Sequence, residues 1–382
     1  MSEYQYYEFQ AIDHPLTEED REMLRGLSSR ARITANSFTN SYNYGDFRGN
    51  PIKLMERCFD LHLHLANWGS RQFMIRVPKR LIDRDKLDAC IQETDEARVH
   101  DMGENLILDI NRAEIEADEE FDDGGDEGAG WLASLAPLRA ELLAGDQRLF
   151  YLLWLMAVEN EVFREDAPEP LPGLGPLTGA LEAFARFFDI DSDLVRAAAE
   201  RSATGMSDAA SSAAAGTVIA GMSGAGKTQW LTRLWDGDPH VGAELRAAVR
   251  RQTATGGGTQ TEPPRRTVGE LLARAKVLGE ERERAEAERA AAERARLARQ
   301  AEAARQARAD ALRKRGEGVW RDVETEIEYR NASAYDKAAL LLSDLRVVAE
   351  QQGTLADFSR RVRSIRERHV RKARFLDRIT DL

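Results

Sequence analysis

The chain has 382 residues, of which 42% are hydrophobic and 31% are charged, enough for two or three domains with cores of their own. Its net charge of −12 argues against broad non-specific binding to nucleic acid, because a polyanion would be repelled on average, although it does not exclude a local basic patch. The most apolar run, residues 149–158, is too short to cross a bilayer, and residues 1–12 lack the apolar segment of a signal peptide. Only two cysteines occur, which suits a reducing compartment, so we expect a cytoplasmic protein without a membrane partner.

The first 115 residues begin with the pattern of a small α+β domain. An aromatic-rich run at residues 4–12 predicts a first strand. Thr17 and Asp20 have the spacing of a capping box, which predicts that a short helix begins there and ends near Ser28. A polar, extended segment follows at residues 33–47.

Beyond residue 50 the apolar spacing switches between the helix period and the strand period. A helix is predicted from Pro51 to Gly69, with four residues on one face: Leu54, Cys58, Leu61 and Leu65. Alternating apolar residues then predict strands at 73–77 and 106–110, with a charged helix from Asp83 between them. This order is compatible with a small sheet covered by helices.

The same region holds the residues that come nearest to a metal-binding pattern. On the predicted helix, Cys58 and His62 are four residues apart and would share a face, whereas His64 would point elsewhere. Zinc needs four ligands in a structural site, and no second pair has suitable spacing, so we expect no metal site. The sequence also lacks the local motifs of serine hydrolases, zinc proteases and dithiol oxidoreductases, and its carboxylates lie in solvated runs. We therefore nominate no catalytic residue.

Shifts in composition divide the rest of the chain. Residues 116–130 are acidic and Gly-rich, and their offsets do not match a calcium loop, so they predict a solvated linker. The predicted organisation is a small α+β domain at 1–115, an acidic linker at 116–130, a helical bundle at 131–251, a flexible linker at 252–266, a long charged helix at 267–315 and a C-terminal helical hairpin at 316–382.

The long charged helix has its own signals. Thr267 and Glu270 form a capping box at its start. Glutamate dominates its first part and arginine its second, which complements the helix dipole. Large apolar residues are nearly absent between Leu278 and Leu297, so no coiled-coil seam is sustained. We expect a solvated spacer helix of about 70 Å, with contact of its alanine face to a partner as the alternative.

The C-terminal region predicts two helical arms beyond Trp320. Gly353 separates the arms, and Thr354 with Asp357 has the spacing of a capping box for the second arm. Residues 360–374 are dense in arginine and lysine. This segment is the best local candidate for an anionic partner such as nucleic acid, with a solvated helix face as the plainer alternative.

One octet, residues 221–228, fits the phosphate-binding pattern G-x-x-x-x-G-K-[ST] at every specified position. In such a loop the glycines let backbone N–H groups turn towards phosphate oxygens, and the Lys and Thr reach phosphate and Mg²⁺. Residues 217–220 before it would then form a short strand, and a helix would follow from Lys227. The octet therefore predicts, as an alternative, an ATP or GTP site with Mg²⁺ at Gly221, Gly224, Gly226, Lys227 and Thr228.

The context of the octet favours a second interpretation. A nucleotide-hydrolysing core needs further parallel strands, one of which ends in an acidic residue that holds Mg²⁺, and no such strand is predicted after Trp235. Val218, Ile219 and Met222 share one helical face, and a second set shares another face: Trp230, Leu231, Leu234 and Trp235. The glycines would then lie in a turn between two helices.

The sequence thus predicts an α+β N-terminal domain followed by mostly α-helical domains, with a long charged helix and a C-terminal helical hairpin. The leading hypothesis is a non-enzymatic multidomain adaptor or regulatory protein of bacterial type, which binds protein partners and needs no cofactor. The alternatives are a nucleotide-binding protein that uses the octet and a nucleic-acid-associated protein that uses its Arg-rich C-terminal helices. The oligomeric state is left open.

Overall fold

The computed structural model describes residues 3–92, 94–113, 115, 128–202, 212–254, 264–380 and 382. Within them, seven strands form one sheet: β1 (Tyr4–Gln10), β2 (Arg32–Ile33), β3 (Ser37–Asn43), β4 (Leu61–Ala66), β5 (Arg71–Pro78), β6 (Ala97–Met102) and β7 (Asn105–Arg112). Their order across the sheet is β2-β3-β1-β4-β5-β7-β6. All neighbouring pairs are antiparallel.

Two short helices, α1 (Glu18–Leu27) and α2 (Pro51–Arg57), cover one face of the sheet. The capping box predicted for α1 is confirmed, because Thr17 accepts from the Asp20 amide and Asp20 accepts from the Thr17 amide. The core on this side is aromatic and includes Phe9 and Phe38, which are completely buried. Full burial of such side chains stabilises the fold by roughly 1.5–3 kcal/mol each.

The other face of the sheet packs against six helices: α3 (Arg84–Ile91), α4 (Trp131–Leu135), α5 (Pro137–Leu143), α6 (Arg148–Glu159), α7 (Gly179–Phe187) and α8 (Ser192–Ala199). Helix α6 is buried along almost its whole length, which explains why its sequence is apolar on all sides. Two arginines from the sheet bind the carbonyls at the end of α7. Arg71 Nη1 donates to the backbone oxygens of Arg186 and Phe187 at 3.2 and 2.5 Å, and Arg112 Nη1 donates to that of Phe188 at 2.7 Å. Positive charge at a helix C-terminus also complements the helix dipole.

The helix predicted from Pro51 to Gly69 is wrong in its second half. Helix α2 ends at Arg57, and residues Leu61–Ala66 form β4 in the middle of the sheet. Leu61 and Leu65 fit both periods, because they are four residues apart and also lie on the same side of a strand. Strand β6 was missed because it is an edge strand with one buried residue, Ala97, and therefore has no apolar alternation.

The change from helix to strand also moves the two histidines. Cys58 is the C-cap that follows α2, whereas His62 and His64 lie on β4, so Cys58 and His62 do not share a helix face. His62 stacks on Phe9 with ring centroids 3.9 Å apart, and its Nδ1 donates to the backbone oxygen of Glu8 at 3.0 Å. Burial lowers the pKa of His62 to about 3 and that of His64 to about 4. Both histidines are therefore neutral members of an aromatic core.

Four helices follow along the chain: α9 (Ser212–Gly221), α10 (Gly224–Trp235), α11 (Val241–Ala254) and α12 (Val268–Arg315). The predicted start of the long charged helix α12 is confirmed, because the Thr267 amide donates to Glu270 and the Glu270 amide donates to Thr267. One face of the first turns of α12, with Val268, Leu271, Ala275 and Leu278, is buried in the core on the α3–α8 side of the sheet. All residues from 281 to 305 are exposed, as expected for a solvated helix without an apolar seam.

A buried ion pair holds the chain just before α12. Glu169 is completely buried and accepts from the Arg266 guanidinium at 2.9 Å, from the Arg266 amide at 2.9 Å and from the Tyr151 hydroxyl at 2.5 Å. The same guanidinium donates to the backbone oxygens of Ala197 and Ala198 at the end of α8. These bonds satisfy both buried charges, which is the condition for an ion pair to be tolerated in a core.

The chain folds into two compact units, residues 1–281 and 282–382. The second unit contains the rest of α12 and the helices α13 (Gly318–Glu328), α14 (Ala332–Gln352), α15 (Leu355–Arg368) and α16 (Ala373–Arg378). Its core includes Val323, Leu342, Phe358 and Phe375. The α+β part, the long helix and the helical C-terminal part agree with the predicted fold class, while the predicted domain boundaries stay predictions. Most of the acidic linker, residues 116–127, lies outside the described residues.

The capping box predicted at Thr354 is wrong. Gly353 does end α14 in a left-handed conformation, with φ of 68°, but the Thr354 side chain makes no capping hydrogen bond. Thr354 has φ of −106° and ψ of 23°, which is not the extended conformation that turns a capping side chain towards the first amides of a helix. The Asp357 carboxylate binds Arg360.

Candidate functional site

The octet lies in a hairpin of two helices. Gly221 is the last residue of α9, and Gly224 is the first residue of α10, so only Met222 and Ser223 connect them. The Ser223 side chain accepts from the Gly226 amide at 3.1 Å and caps α10. Residues 217–220, which the phosphate-loop interpretation requires as a strand, are helical, and that strand assignment is wrong.

The Lys227 and Thr228 side chains of the octet donate hydrogen bonds to backbone oxygens of the hairpin itself. Lys227 Nζ donates to the backbone oxygen of Ala220 at 2.9 Å, so it satisfies a carbonyl at the end of α9. Thr228 Oγ1 donates to the backbone oxygen of Gly224, four residues earlier, at 3.0 Å. The lysine therefore links the start of α10 to the end of α9. Nucleotide binding by Gly221, Gly224, Gly226, Lys227 and Thr228 stays a prediction.

Helix α10 carries the most exposed apolar surface of the hairpin. Trp235 is 90% exposed, Leu231 65% and Leu234 61%, and these three residues, which we call the α10 stripe, lie on one helical face. No residue of α10 is buried. Helices in proteins gain most of their stability from burying an apolar face, and the α10 stripe is not buried in this way. The spacing of Leu231, Leu234 and Trp235 was visible in the sequence, but it indicated that these side chains pack within the protein rather than stay exposed.

The hairpin region is attached to the sheet by ion pairs through α11. Glu244 of α11 binds Arg80, which follows β5, at 2.5 Å and Arg233 of α10 at 2.7 Å. Arg233 also binds Asp238 in the turn between α10 and α11 at 2.6 Å. These contacts fix the orientation of α10 without covering the α10 stripe.

A buried network strengthens the same attachment. His240 Nε2 lies 3.0 Å from Asp13, which also accepts two hydrogen bonds from Arg139 at 2.9 and 2.6 Å. Arg139 also reaches Asp60, at 3.2 Å. Burial raises the pKa of Asp13, but the bonds from His240 and Arg139 outweigh it and hold the pKa well below its usual range. The sequence carries no local sign of this network, because Asp13, Arg139 and His240 are far apart along the chain.

The basic C-terminal segment is largely engaged in internal contacts. Residues 360–374 contain eight lysines and arginines. Four of them bind carboxylates of the same unit: Arg360 to Asp357, Arg361 to Glu317, Arg368 to Glu324 and Lys372 to Glu328. Arg366 donates to the backbone oxygen of Ile379. Much of the positive charge in this segment is therefore neutralised within the unit.

Buried acidic groups elsewhere are structural in their contacts. Asp60 binds Arg76, Asp146 binds Arg148 and Glu169 binds Arg266. The part of the chain that the structure describes holds no group of three or more His, Cys, Asp or Glu residues arranged for a metal ion. Among the same residues, no helix has both the length and the hydropathy to cross a lipid bilayer.

Comparison with known proteins finds no match, whether with protein-family models, with curated proteins or with solved structures.

Proposed function

We propose that the protein is a non-enzymatic adaptor or regulatory protein that binds a protein partner through the α10 stripe. The observation that carries the proposal is the exposure of Leu231, Leu234 and Trp235 on a helix that buries nothing of its own. Aromatic residues of this kind are the usual energetic centres of protein interfaces.

The shape of the α10 stripe indicates what kind of binding surface the partner has. The three side chains stand out from α10 at i, i+3 and i+4 rather than lining a concavity. Such a face fits an apolar groove, in the manner of an amphipathic helix bound by its anchor residues. The partner is therefore a protein with an apolar groove, and α10 is the helix that enters it. The proposal assigns the protein to the cytoplasm, where Cys58 and Cys90 stay reduced.

A comparative pull-down tests this function. One variant carries Leu231→Ala, Leu234→Ala and Trp235→Ala, and a control variant carries three equally apolar, exposed residues changed elsewhere: Leu297→Ala, Leu340→Ala and Val370→Ala. We expect a partner that is captured by the wild type and the control but lost from the stripe variant. Capture that is equal for all three proteins would contradict the proposal.

Sedimentation of the purified chain separates a partner from self-association. The proposal predicts that the wild type sediments as the stripe variant does. A wild-type dimer that dissociates in the stripe variant would replace the adaptor with a self-assembling protein. The nucleotide alternative predicts instead that Mg·ATP or Mg·GTP binds the wild type and not Lys227→Ala.

A further inference from the structure

The unit formed by residues 1–281 also contains a cavity that is separate from the α10 stripe. This cavity of about 580 Å³ lies between the turn that follows β5, the turn between α5 and α6, and helices α10 and α11. This volume is within the range of small-molecule sites. Its walls carry one aromatic ring, Trp230, and three arginines, Arg80, Arg250 and Arg251.

The side chains that line the cavity include three arginines and two carboxylates, Asp83 and Glu244. One of these arginines, Arg80, binds Glu244 at 2.5 Å. Each carboxylate has a further cation as a partner outside the walls: Lys86 lies 3.3 Å from Asp83, and Arg233 lies 2.7 Å from Glu244. The lining thus has one more positive than negative side chain, whereas the whole chain has a net charge of −12. A basic cavity on an acidic protein attracts small anions selectively rather than polyanions in general.

Arg250 lies against the turn between α5 and α6. Gly145, in the turn between α5 and α6, has a left-handed φ of 88°, and a Cβ added there would lie 2.5 Å from Arg250 Nη2. The left-handed φ favours glycine at this turn, and the guanidinium at the end of the flexible Arg250 side chain packs against it. Burial and the nearby Arg246 lower the pKa of Arg250.

Trp230 supplies the aromatic wall. The Arg233 guanidinium lies over its ring, 5.2 Å from the centroid, and is itself held by Asp238 and Glu244. The ring is therefore fixed from within the protein while it also lines the cavity. A fixed indole can stack on a planar heterocycle, and guanidinium groups pair with phosphate oxygens through forked hydrogen bonds.

We propose that this cavity binds a nucleotide, with its base on the Trp230 ring and its phosphates on Arg250 and Arg251. The proposal goes beyond partner binding and differs from the octet hypothesis. It assigns nucleotide recognition to residues of α10 and α11 rather than to Lys227 and Thr228, whose side chains bind within the hairpin.

Isothermal titration of the full chain with ATP at low salt tests the proposal. We expect ATP to bind, and adenosine and inorganic triphosphate each to bind at least tenfold more weakly, because each uses only one half of the cavity. The affinity for ATP should also fall as salt is added, because the contacts to phosphate are ionic. Absence of ATP and GTP binding at millimolar concentration overturns the proposal.

Four variants then locate the site. Arg251→Gln and Trp230→Leu should each weaken ATP binding at least tenfold, whereas Lys227→Ala should leave it within twofold of the wild type. Arg196→Gln, on α8, is the control for loss of one exposed positive charge and should also have no effect. Because Arg251 is exposed, its replacement tests binding without disturbing a core. Loss of binding in Lys227→Ala but not in Arg251→Gln contradicts the proposal and assigns the nucleotide to the octet.

Discussion

Replacement of His64 by Gln tests whether the two core histidines make the fold sensitive to acid. Burial lowers the pKa of His64 from 6.5 to about 4 and that of His62 from 6.5 to about 3. Because each pKa is lower in the folded chain, the unfolded chain binds the proton first as the pH falls. The free energy of unfolding therefore decreases below pH 6.5, and for His64 the decrease continues until the folded state is protonated near pH 4.

The size of the effect follows from these values. One pKa unit corresponds to about 1.4 kcal/mol. Between pH 8 and pH 5, each histidine therefore lowers the free energy of unfolding by about 2 kcal/mol. The pair together removes about 4 kcal/mol, which is a large part of the roughly 5–15 kcal/mol that stabilises a typical protein. In the wild type, His64 Nε2 lies 3.1 Å from Gln5 Oε1. Glutamine at position 64 offers a polar group for the same contact but does not titrate.

Urea unfolding at pH 8 and pH 5, followed by far-ultraviolet circular dichroism, measures the difference. We expect His64→Gln to lose about 2 kcal/mol less than the wild type between the two pH values. Other titrating groups are common to the two proteins and cancel. An equal loss in the wild type and His64→Gln would refute the reasoning.

Four further substitutions test other contacts, each by urea unfolding. Arg71→Met removes a buried cation from the carbonyls at the end of α7 and should cost about 2 kcal/mol or more; a cost under about 0.5 kcal/mol would show that the cap is unimportant. Asn331→Ala should lower the free energy of unfolding by about 1 kcal/mol, because the Asn331 side chain accepts from the Ala334 amide at 2.8 Å and caps α14. Thr354→Ala should lower it by under about 0.5 kcal/mol, because the Thr354 side chain makes no capping hydrogen bond. A larger loss in Thr354→Ala than in Asn331→Ala would contradict the structure. Glu169→Ala leaves Arg266 charged and buried without its carboxylate, so it should lower the free energy of unfolding by about 3–5 kcal/mol. No change would mean that water solvates Arg266 in the variant.

The sequence predicted best what depends on neighbouring residues. The capping boxes at Thr17 and Thr267 were readable because donor and acceptor are three residues apart. Strand β4 was misread because a spacing of four residues is common to a helix face and a strand face. Thr354 shows that even a local signal fails where the backbone at the cap position is not extended, because the side chain then makes no capping hydrogen bond.

The candidate site could be predicted only in part. The apolar spacing on α10 and the turn between two helices were visible in the sequence. The exposure of Trp235 was not, because it depends on which elements pack nearby. The pairing of Asp13 with Arg139 and His240 likewise depends on the fold, since it joins residues more than a hundred positions apart.

The central claim is that the α10 stripe binds a groove in a partner protein. Its most direct test is a titration of the partner captured by the wild type, purified, against wild-type protein and Trp235→Ala. Loss of one aromatic anchor typically costs about 2 kcal/mol or more, so we expect at least a 30-fold weaker affinity. Equal affinity of the two proteins for the partner would contradict the account.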